Sequence, residues 1–194
     1  MAKIEITVPD GTSNEWSVQS FTVEPDDFSQ RIAMMKTGRG VPAGNYKRLM
    51  RNGTCVMSNT PDEIRDFYGF VRYAKGKILV NGLGLGVLLK ALLDKEEVTE
   101  IIVIEKSADV IKLVGSTITD KRVTIINADA FEYKPTKGET YDCVWHDIWD
   151  YITEDNLPEM AKLHRKYGRR TEYQESWCKS DCQRYKRQNQ RSYW

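Results

Sequence analysis

The sequence predicts an α/β fold with a mostly parallel sheet, preceded by a small β module and followed by a helical, basic tail. Four apolar runs between residues 78 and 147 each end in glycine or polar residues, as parallel strands do at the edge where ligands bind. Residues 1–59 contain alternating polar and apolar stretches with turn signals. We therefore expect an N-terminal β module at residues 1–59, a ligand-binding domain at 60–152 and a tail at 153–194.

In the N-terminal module, residues 3–8 and Trp16–Val23 alternate polar and apolar side chains and predict two strands. Asn45–Arg51 and Thr54–Ser58 flank Asn52-Gly53, the dipeptide that suits the two positive-φ positions of a type I′ turn. This pattern predicts a β-hairpin.

Helices are predicted by their start and stop signals. Thr60-Pro61-Asp62-Glu63 is a capping box with proline at the first helical position, and the helix should end near Gly76. Further helices are predicted at residues 84–95 and 107–114. Between Asp129 and Tyr141, proline and glycine leave little room for a helix.

The glycine turn follows the first apolar run, Ile78–Val80. Gly82, Gly84 and Gly86 alternate before a leucine-rich helix, so the backbone can take positive φ and a ligand can approach it closely. A dinucleotide-binding turn would need glycine at position 87, which is valine, so an ordinary NAD site is disfavoured. The alternative is a tight connection between strand and helix with no ligand.

Acidic residues follow the next three runs. Glu105 ends the second run, 23 residues after Gly82, where a carboxylate can accept hydrogen bonds from ribose hydroxyls. Asp129-Ala130 follows the third run and His146-Asp147 the fourth. We expect these strand ends to meet at one crevice.

Residues 78–147, with these four elements in this order, resemble the cofactor-binding half of the class I S-adenosylmethionine (SAM) methyltransferases, in particular the spermidine synthase-like branch. The resemblance implies a truncated Rossmann-like fold and SAM as cofactor. It implies that the glycine turn lies along the methionine part of SAM and that Glu105 binds the ribose. It also implies that Asp129 and the Ala130 amide recognise the adenine and that Asp147 lies beside the sulfonium. The predicted cofactor-binding residues are Asn81, Gly82, Leu83, Gly84, Gly86, Glu105, Lys106, Asp129, Ala130 and Asp147. Residues 145–150 and 163–170 are also similar to uncharacterised phage-encoded methyltransferase-like proteins.

Asp147 and His146 are the predicted catalytic residues. Methyl transfer from a sulfonium needs orientation and, for some acceptors, a base. Asp147 could take a proton from an amine or hydroxyl or hold an ammonium group, and His146 titrates near neutral pH. Alternatively, Asp147 caps a turn and His146 belongs to the core.

The tail carries most of the charge asymmetry. Residues 162–194 contain ten Lys/Arg and three acidic residues, whereas the whole chain has a net charge of +1. No β-branched run follows Tyr151, so we expect helices at 153–167 and from about 171, and an open sheet edge covered by the tail, the hairpin or a second subunit of a homodimer. Tyrosine and tryptophan among the charges are typical of a nucleic-acid contact, and a solvated tail or an intersubunit clasp explains this composition equally well.

Composition and missing motifs exclude several classes of protein. No apolar run approaches the ~20 residues of a membrane span, and the N-terminus lacks a signal-peptide core, so we expect no membrane partner and a cytoplasmic location, in the host cytoplasm if the protein is phage-encoded. Four cysteines make no disulfide framework, and Cys178 and Cys182 lack the partners of a metal site, so no metal is expected. The motifs of radical-SAM, exocyclic-amine and cytosine-C5 methylating enzymes do not occur.

Three functions compete. The first is a SAM-dependent methyltransferase whose acceptor the sequence does not name. The second is aminopropyl transfer to a polyamine, for which the glutamine and the Tyr-His-Glu signature usual in aminopropyltransferases are missing. The third is a non-catalytic protein that binds SAM or nucleic acid.

Overall fold

The computed structural model describes residues 4–37 and 40–192, which form two sheets and six α-helices. The strands are β1 (Gly11–Ser13), β2 (Trp16–Val23), β3 (Gly44–Arg51), β4 (Thr54–Ser58), β5 (Gly76–Asn81), β6 (Val98–Glu105), β7 (Val123–Asn127), β8 (Tyr141–His146) and β9 (Thr171–Ser176). The helices are α1 (Phe28–Thr37), α2 (Pro61–Tyr73), α3 (Val87–Leu93), α4 (Ala108–Leu113), α5 (Asn156–Tyr167) and α6 (Lys179–Ser192), with a 3₁₀ turn at Gly115–Thr117.

The larger sheet is parallel throughout and has the order β7-β6-β5-β8-β9. Its central strands are buried on both faces, so their sequences are continuous apolar runs. Ile78, Leu79, Ile101, Val103 and Val144 are fully buried there. This arrangement confirms the predicted α/β fold with a mostly parallel sheet.

The N-terminal module is an antiparallel sheet of four strands in the order β1-β2-β3-β4. Its β3-β4 hairpin is confirmed, with positive φ at both Asn52 (48°) and Gly53 (80°), as a type I′ turn requires. The strand predicted at residues 3–8 is wrong: residues 4–10 pair with no strand, and residue 3 lies outside the described residues. Val8 nevertheless packs into the core, so the alternation reflected burial without sheet pairing.

The helices predicted before residue 168 agree with their predicted positions; the cap of α2 and the presence of α1 differ from the prediction. α2 begins at Pro61, but the Thr60 hydroxyl bonds to that of Ser58 at 2.9 Å and does not cap the helix. α1 was not predicted; it begins after Asp27, whose carboxylate accepts hydrogen bonds from the amides of Ser29 and Gln30. Residues 128–140 form no helix, as their proline and glycine predicted. Along the described part of the chain, every helix is too short or too polar to cross a bilayer.

The strand β9 corrects the prediction for the tail. A helix was expected from about residue 171, but Thr171–Ser176 pairs in parallel with β8, from Tyr141 opposite Thr171 to His146 opposite Ser176. An edge strand has one unpaired side and can be polar, so β9 lacks the apolar run by which central strands are recognised. The open edge was expected to be covered by the tail, the hairpin or a second subunit, and along β8 it is covered by β9 of the tail.

Candidate functional site

A cavity of about 650 Å³ lies at the carboxyl ends of β5, β6, β7 and β8, under the β3-β4 hairpin of the N-terminal module. Its volume is in the range of small-molecule sites. Eight of the predicted site residues line it: Gly82, Leu83, Gly84, Glu105, Lys106, Asp129, Ala130 and Asp147. The structure thus brings together the ends of strands that are separated by up to 65 positions in the sequence.

The glycine turn has the backbone that its sequence predicts, with φ of 100° at Gly82, 53° at Gly84 and 74° at Gly86. A Cβ atom on Gly82 would collide with the carbonyl oxygen of Asp147, and one on Gly84 would collide with the Sδ atom of Met57. Packing therefore requires glycine at position 82, where the obstacle is backbone, whereas at position 84 the Met57 side chain could move and the positive φ is what favours glycine.

Most amides of the turn are already engaged by the protein. The Leu83 amide donates to Glu105 at 2.9 Å, and the Leu85 amide donates to Met57 Sδ at 3.4 Å. The Gly82 amide donates to the Ile104 carbonyl at 2.8 Å. A pyrophosphate needs several free amides at such a turn, so the arrangement suits a ligand without phosphate.

Glu105 is held rigidly at the end of β6. One carboxylate oxygen accepts from the Leu83 amide, and the other accepts from the Ser107 amide at 2.7 Å. Burial raises the pKa of Glu105 above its usual value, and these amides counteract the rise. Each oxygen keeps a lone pair with which it could accept a hydrogen bond from a ligand hydroxyl.

Asp129 and Lys106 form an ion pair on one wall of the cavity, with 2.9 Å between Nζ and Oδ2. The other oxygen of Asp129 accepts from the Phe131 amide at 2.8 Å. The bond from Lys106 is the main cause of the lowered pKa of Asp129. Asp129 is therefore ionised at neutral pH and fixes the backbone beside Ala130.

Asp147 is the cavity carboxylate with the most perturbed protonation. Burial raises its pKa from 3.8 to about 7; the nearby Trp145 indole lowers it, and Asp66 raises it. Within the described residues Asp147 has no cationic partner. A group with such a pKa can exchange a proton near neutral pH.

His146 does not have the position of a catalytic residue, which corrects its predicted role. Its side chain is fully buried and does not line the cavity. Its Nδ1 atom lies 2.8 Å from Asn81 Nδ2, and its Nε2 atom lies 3.2 Å from Gln174 Oε1. An amide nitrogen only donates and an amide oxygen only accepts, so the ring is neutral with its proton on Nε2. Burial lowers the pKa of His146 to about 3.

Asn81 and Gly86 also lie away from the cavity, although both were predicted to bind the cofactor. The Asn81 amide bonds to His146 and thereby links β5 to β8 and β9. Gly86 is the N-cap of α3, and a Cβ there would contact Val114 and Ile118. Both residues thus contact the elements that form the cavity and do not line the cavity themselves.

Several cavity residues carry no signal in the sequence. Glu159 of α5 accepts a hydrogen bond from the Trp149 indole at 2.7 Å. Arg51 of β3 forms an ion pair with Glu15 of the same module at 3.1 Å. Arg51 also lies 3.5 Å from Asp150, and this second contact joins the N-terminal module to the loop after β8. These contacts join elements that are far apart in the chain, so local sequence patterns do not reveal them.

The charges of the cavity wall are mostly negative. The cationic residues on the wall are Arg51 and Lys106, and carboxylates neutralise both of them. Eight acidic residues also line the cavity: Glu15, Glu63, Glu105, Asp109, Asp129, Asp147, Asp150 and Glu159. This excess of carboxylates favours a ligand with positive charge and disfavours phosphates. No group of three or more His, Cys, Asp or Glu side chains within residues 4–37 and 40–192 is arranged to hold a metal ion.

The comparisons with known proteins show a similarity in fold. No protein-family model matches the sequence, and no curated protein is significantly similar to it. A spermidine synthase from Thermotoga maritima shares 18% identity over 82% of this chain and 52% of its own, with a TM-score of 0.46. A spermidine synthase in complex with the transition-state analogue AdoDATO shares 17% over 82% of this chain and 52% of its own, with a TM-score of 0.48. A SAM-dependent methyltransferase from Mesorhizobium loti shares 15% over 53% of this chain and 49% of its own, with a TM-score of 0.40. The chain spans about half the length of these proteins, and at such identities the likeness concerns the fold alone.

Proposed function

We propose that the protein is a SAM-dependent methyltransferase. The observation that carries the proposal is one cavity that joins the glycine turn, the Glu105 carboxylate and Asp147 at adjacent strand ends. Its negative wall suits the ammonium and sulfonium charges of SAM, and the engaged amides of the turn argue against a dinucleotide.

The residues fit the parts of SAM as follows. Glu105 would accept hydrogen bonds from the ribose hydroxyls, Asp129 and the Ala130 backbone would border the adenine, and Gly82 to Gly84 would pass the methionine part. When bound, SAM supplies an activated methyl group whose bonding electrons remain on sulfur. Lys106 would keep Asp129 ionised and in place.

Asp147 would act on the acceptor. With a pKa near 7, its carboxylate can accept the proton that a nitrogen or oxygen loses on forming the bond to the methyl carbon. For an amine acceptor it can instead hold the ammonium group. His146, buried and neutral, would only hold β5, β8 and β9 in register.

Calorimetric titration with SAM tests this site. We expect wild type to bind, and Glu105→Ala to weaken binding about 10- to 100-fold because a buried charged acceptor is lost. Glu105→Gln replaces one acceptor oxygen by an amide nitrogen, which cannot accept from the Leu83 or Ser107 amide, and should weaken binding as well. Glu100→Ala is the matched control, since Glu100 lies at the other end of β6 in an exposed ion pair with Lys77. Equal affinity of wild type and Glu105→Ala would refute the assignment.

Aminopropyl transfer to a polyamine is the second candidate, and the excess of carboxylates over cations on the cavity wall favours it because such a wall suits a ligand with several ammonium groups. Incubation with decarboxylated SAM and putrescine tests it. Release of methylthioadenosine would support this reaction, whereas methyl incorporation from labelled SAM into another acceptor would support the first. Retention of SAM with neither reaction, over a panel of acceptors, would support a non-catalytic binding protein.

A further inference from the structure

The outer face of α5 is strongly basic. Lys162, Arg165 and Lys166 lie on it at helical spacing, and Arg169 continues it in the turn after Gly168, whose backbone is still helical. The opposite face of α5 buries Met160, Leu163 and Tyr167 in the core. We call these four cations (Lys162, Arg165, Lys166 and Arg169) the basic stripe; from first to last they extend over about 10 Å of helix.

The basic stripe begins at the rim of the cavity. The Nζ atom of Lys162 lies 4.9 Å from the centre of the Phe131 ring. Lys166 donates hydrogen bonds to the carbonyls of Ala130 and Phe131, at 2.8 and 3.0 Å. Ala130 and Phe131 both line the cavity, so a ligand held along the stripe would have one end at the cavity.

No cation of the basic stripe forms an ion pair with a carboxylate of the described residues, and Arg165 and Arg169 are in addition exposed. The neighbouring helix α6 adds Lys186 and Arg187, whereas its Arg184 is neutralised by Asp181 at 2.7 Å; residues 183–190 are all exposed. The outer surface is thus positive next to a negative cavity, and the two surfaces suit different parts of one ligand.

We propose that the basic stripe binds the sugar-phosphate backbone of a single-stranded nucleic acid and places one nucleotide at the cavity. This inference rests on the proposed function in naming that nucleotide as the methyl acceptor. Unpaired guanidinium groups favour phosphates, and the half-buried Phe131 ring at the cavity wall offers a flat surface for a base. A base stacked in a duplex would first have to be flipped out to enter the cavity, whereas the bases of a single strand are already accessible, so a single strand fits best.

Fluorescence anisotropy with a labelled single strand of about 20 nucleotides, as DNA and as RNA, tests the proposal without SAM. We expect binding that weakens as salt rises from about 50 to about 200 mM. Arg165→Ala/Arg169→Ala should reduce the slope of log affinity against log salt by about 1.4, which is about 0.7 for each phosphate that is no longer neutralised. The matched control is Lys112→Ala/Lys121→Ala, which removes the same charge from positions near the β7 edge of the sheet and should leave the slope unchanged.

Three results would overturn the proposal: no binding at the lowest salt, equal effects of both double variants, or equally tight binding of polyglutamate of the same length, which would indicate an acidic protein partner.

Glu105→Ala separates the two hypotheses, because it should weaken SAM binding and leave oligonucleotide binding intact. If wild type binds the strand through the stripe but not SAM, the proposed function fails and the binding site stands. If labelled methyl enters the strand in wild type but not in the Arg165/Arg169 variant, at equal SAM affinity, the acceptor assignment is supported; equal incorporation would refute it.

Discussion

The Sδ atom of Met57 accepts a hydrogen bond from the Leu85 amide at 3.4 Å and lies against Gly84. The β3-β4 hairpin therefore covers part of the glycine turn. A thioether is a weak acceptor, so a ligand could displace this contact at small cost. On the proposed function, the methionine part of SAM lies along this turn and would compete with Met57 for it.

We accordingly expect Met57→Ala to strengthen the binding of S-adenosylhomocysteine about five-fold, or about 1 kcal/mol. Adenosine lacks the methionine part, so its affinity should change by less than about two-fold. Calorimetry with both ligands measures the difference. Val56→Ala, on the same strand and the same cavity wall, is the control. If Met57→Ala bound both ligands more weakly, Met57 would contact the bound ligand and would not obstruct the site.

Gly82→Ala should destabilise the protein by at least about 2 kcal/mol, because the new Cβ meets a positive φ and the Asp147 carbonyl together. Unfolding in urea gives the free energy. Gly138→Ala is the matched control, since Gly138 also has positive φ (82°) but open space around it, and it should cost only about 1 kcal/mol. Equal losses of unfolding free energy in the two variants would mean that the Asp147 carbonyl does not restrict the residue at position 82.

Asp147→Asn should make the protein more stable than wild type at pH 8. The pKa of Asp147 is higher in the folded protein, at about 7, than its ordinary value of 3.8. The folded state therefore binds more protons between these values, and wild-type stability falls as pH rises through this window, by at most about 4 kcal/mol. Urea unfolding at pH 4 and pH 8 should show the gain at pH 8 only. Asp150→Asn, which loses an ion pair with Arg51, should show no such gain.

His146→Gln should change the acid limb of the stability profile. The pKa of His146 is about 3 in the folded protein and 6.5 for an ordinary exposed histidine, so the unfolded state takes up the proton first as pH falls. Because of this residue, the free energy of unfolding of the wild type should fall by up to about 1.4 kcal/mol for each pH unit below pH 6.5. Glutamine removes that dependence, at an overall cost of about 1–3 kcal/mol from the buried hydrogen bonds. Urea unfolding from pH 4 to 7 measures the slope, and SAM affinity at neutral pH should be unchanged; an unchanged slope would mean that His146 is accessible to protons.

Part of the candidate site could be predicted because its signals are local. A glycine turn after an apolar run and a carboxylate at the end of the next run are features of single segments, and parallel strands bring such ends to one edge. Gly82, Glu105, Asp129 and Asp147 line one cavity for that reason. His146 and Asn81 occupy equivalent places in the sequence, but side chains alternate in direction along a strand, and theirs bond to each other and, through His146, to Gln174 of β9.

The sequence by itself determined the α/β fold, the type I′ hairpin and the order of the strand ends, since periodicity and turn chemistry act over a few residues. Only the tertiary structure decided that Thr171–Ser176 is a strand, that Met57 covers the glycine turn and that the basic stripe reaches Phe131. The physical reason is that an edge strand, a covering side chain and a surface charge acquire their roles from partners distant in the chain, which no local pattern encodes.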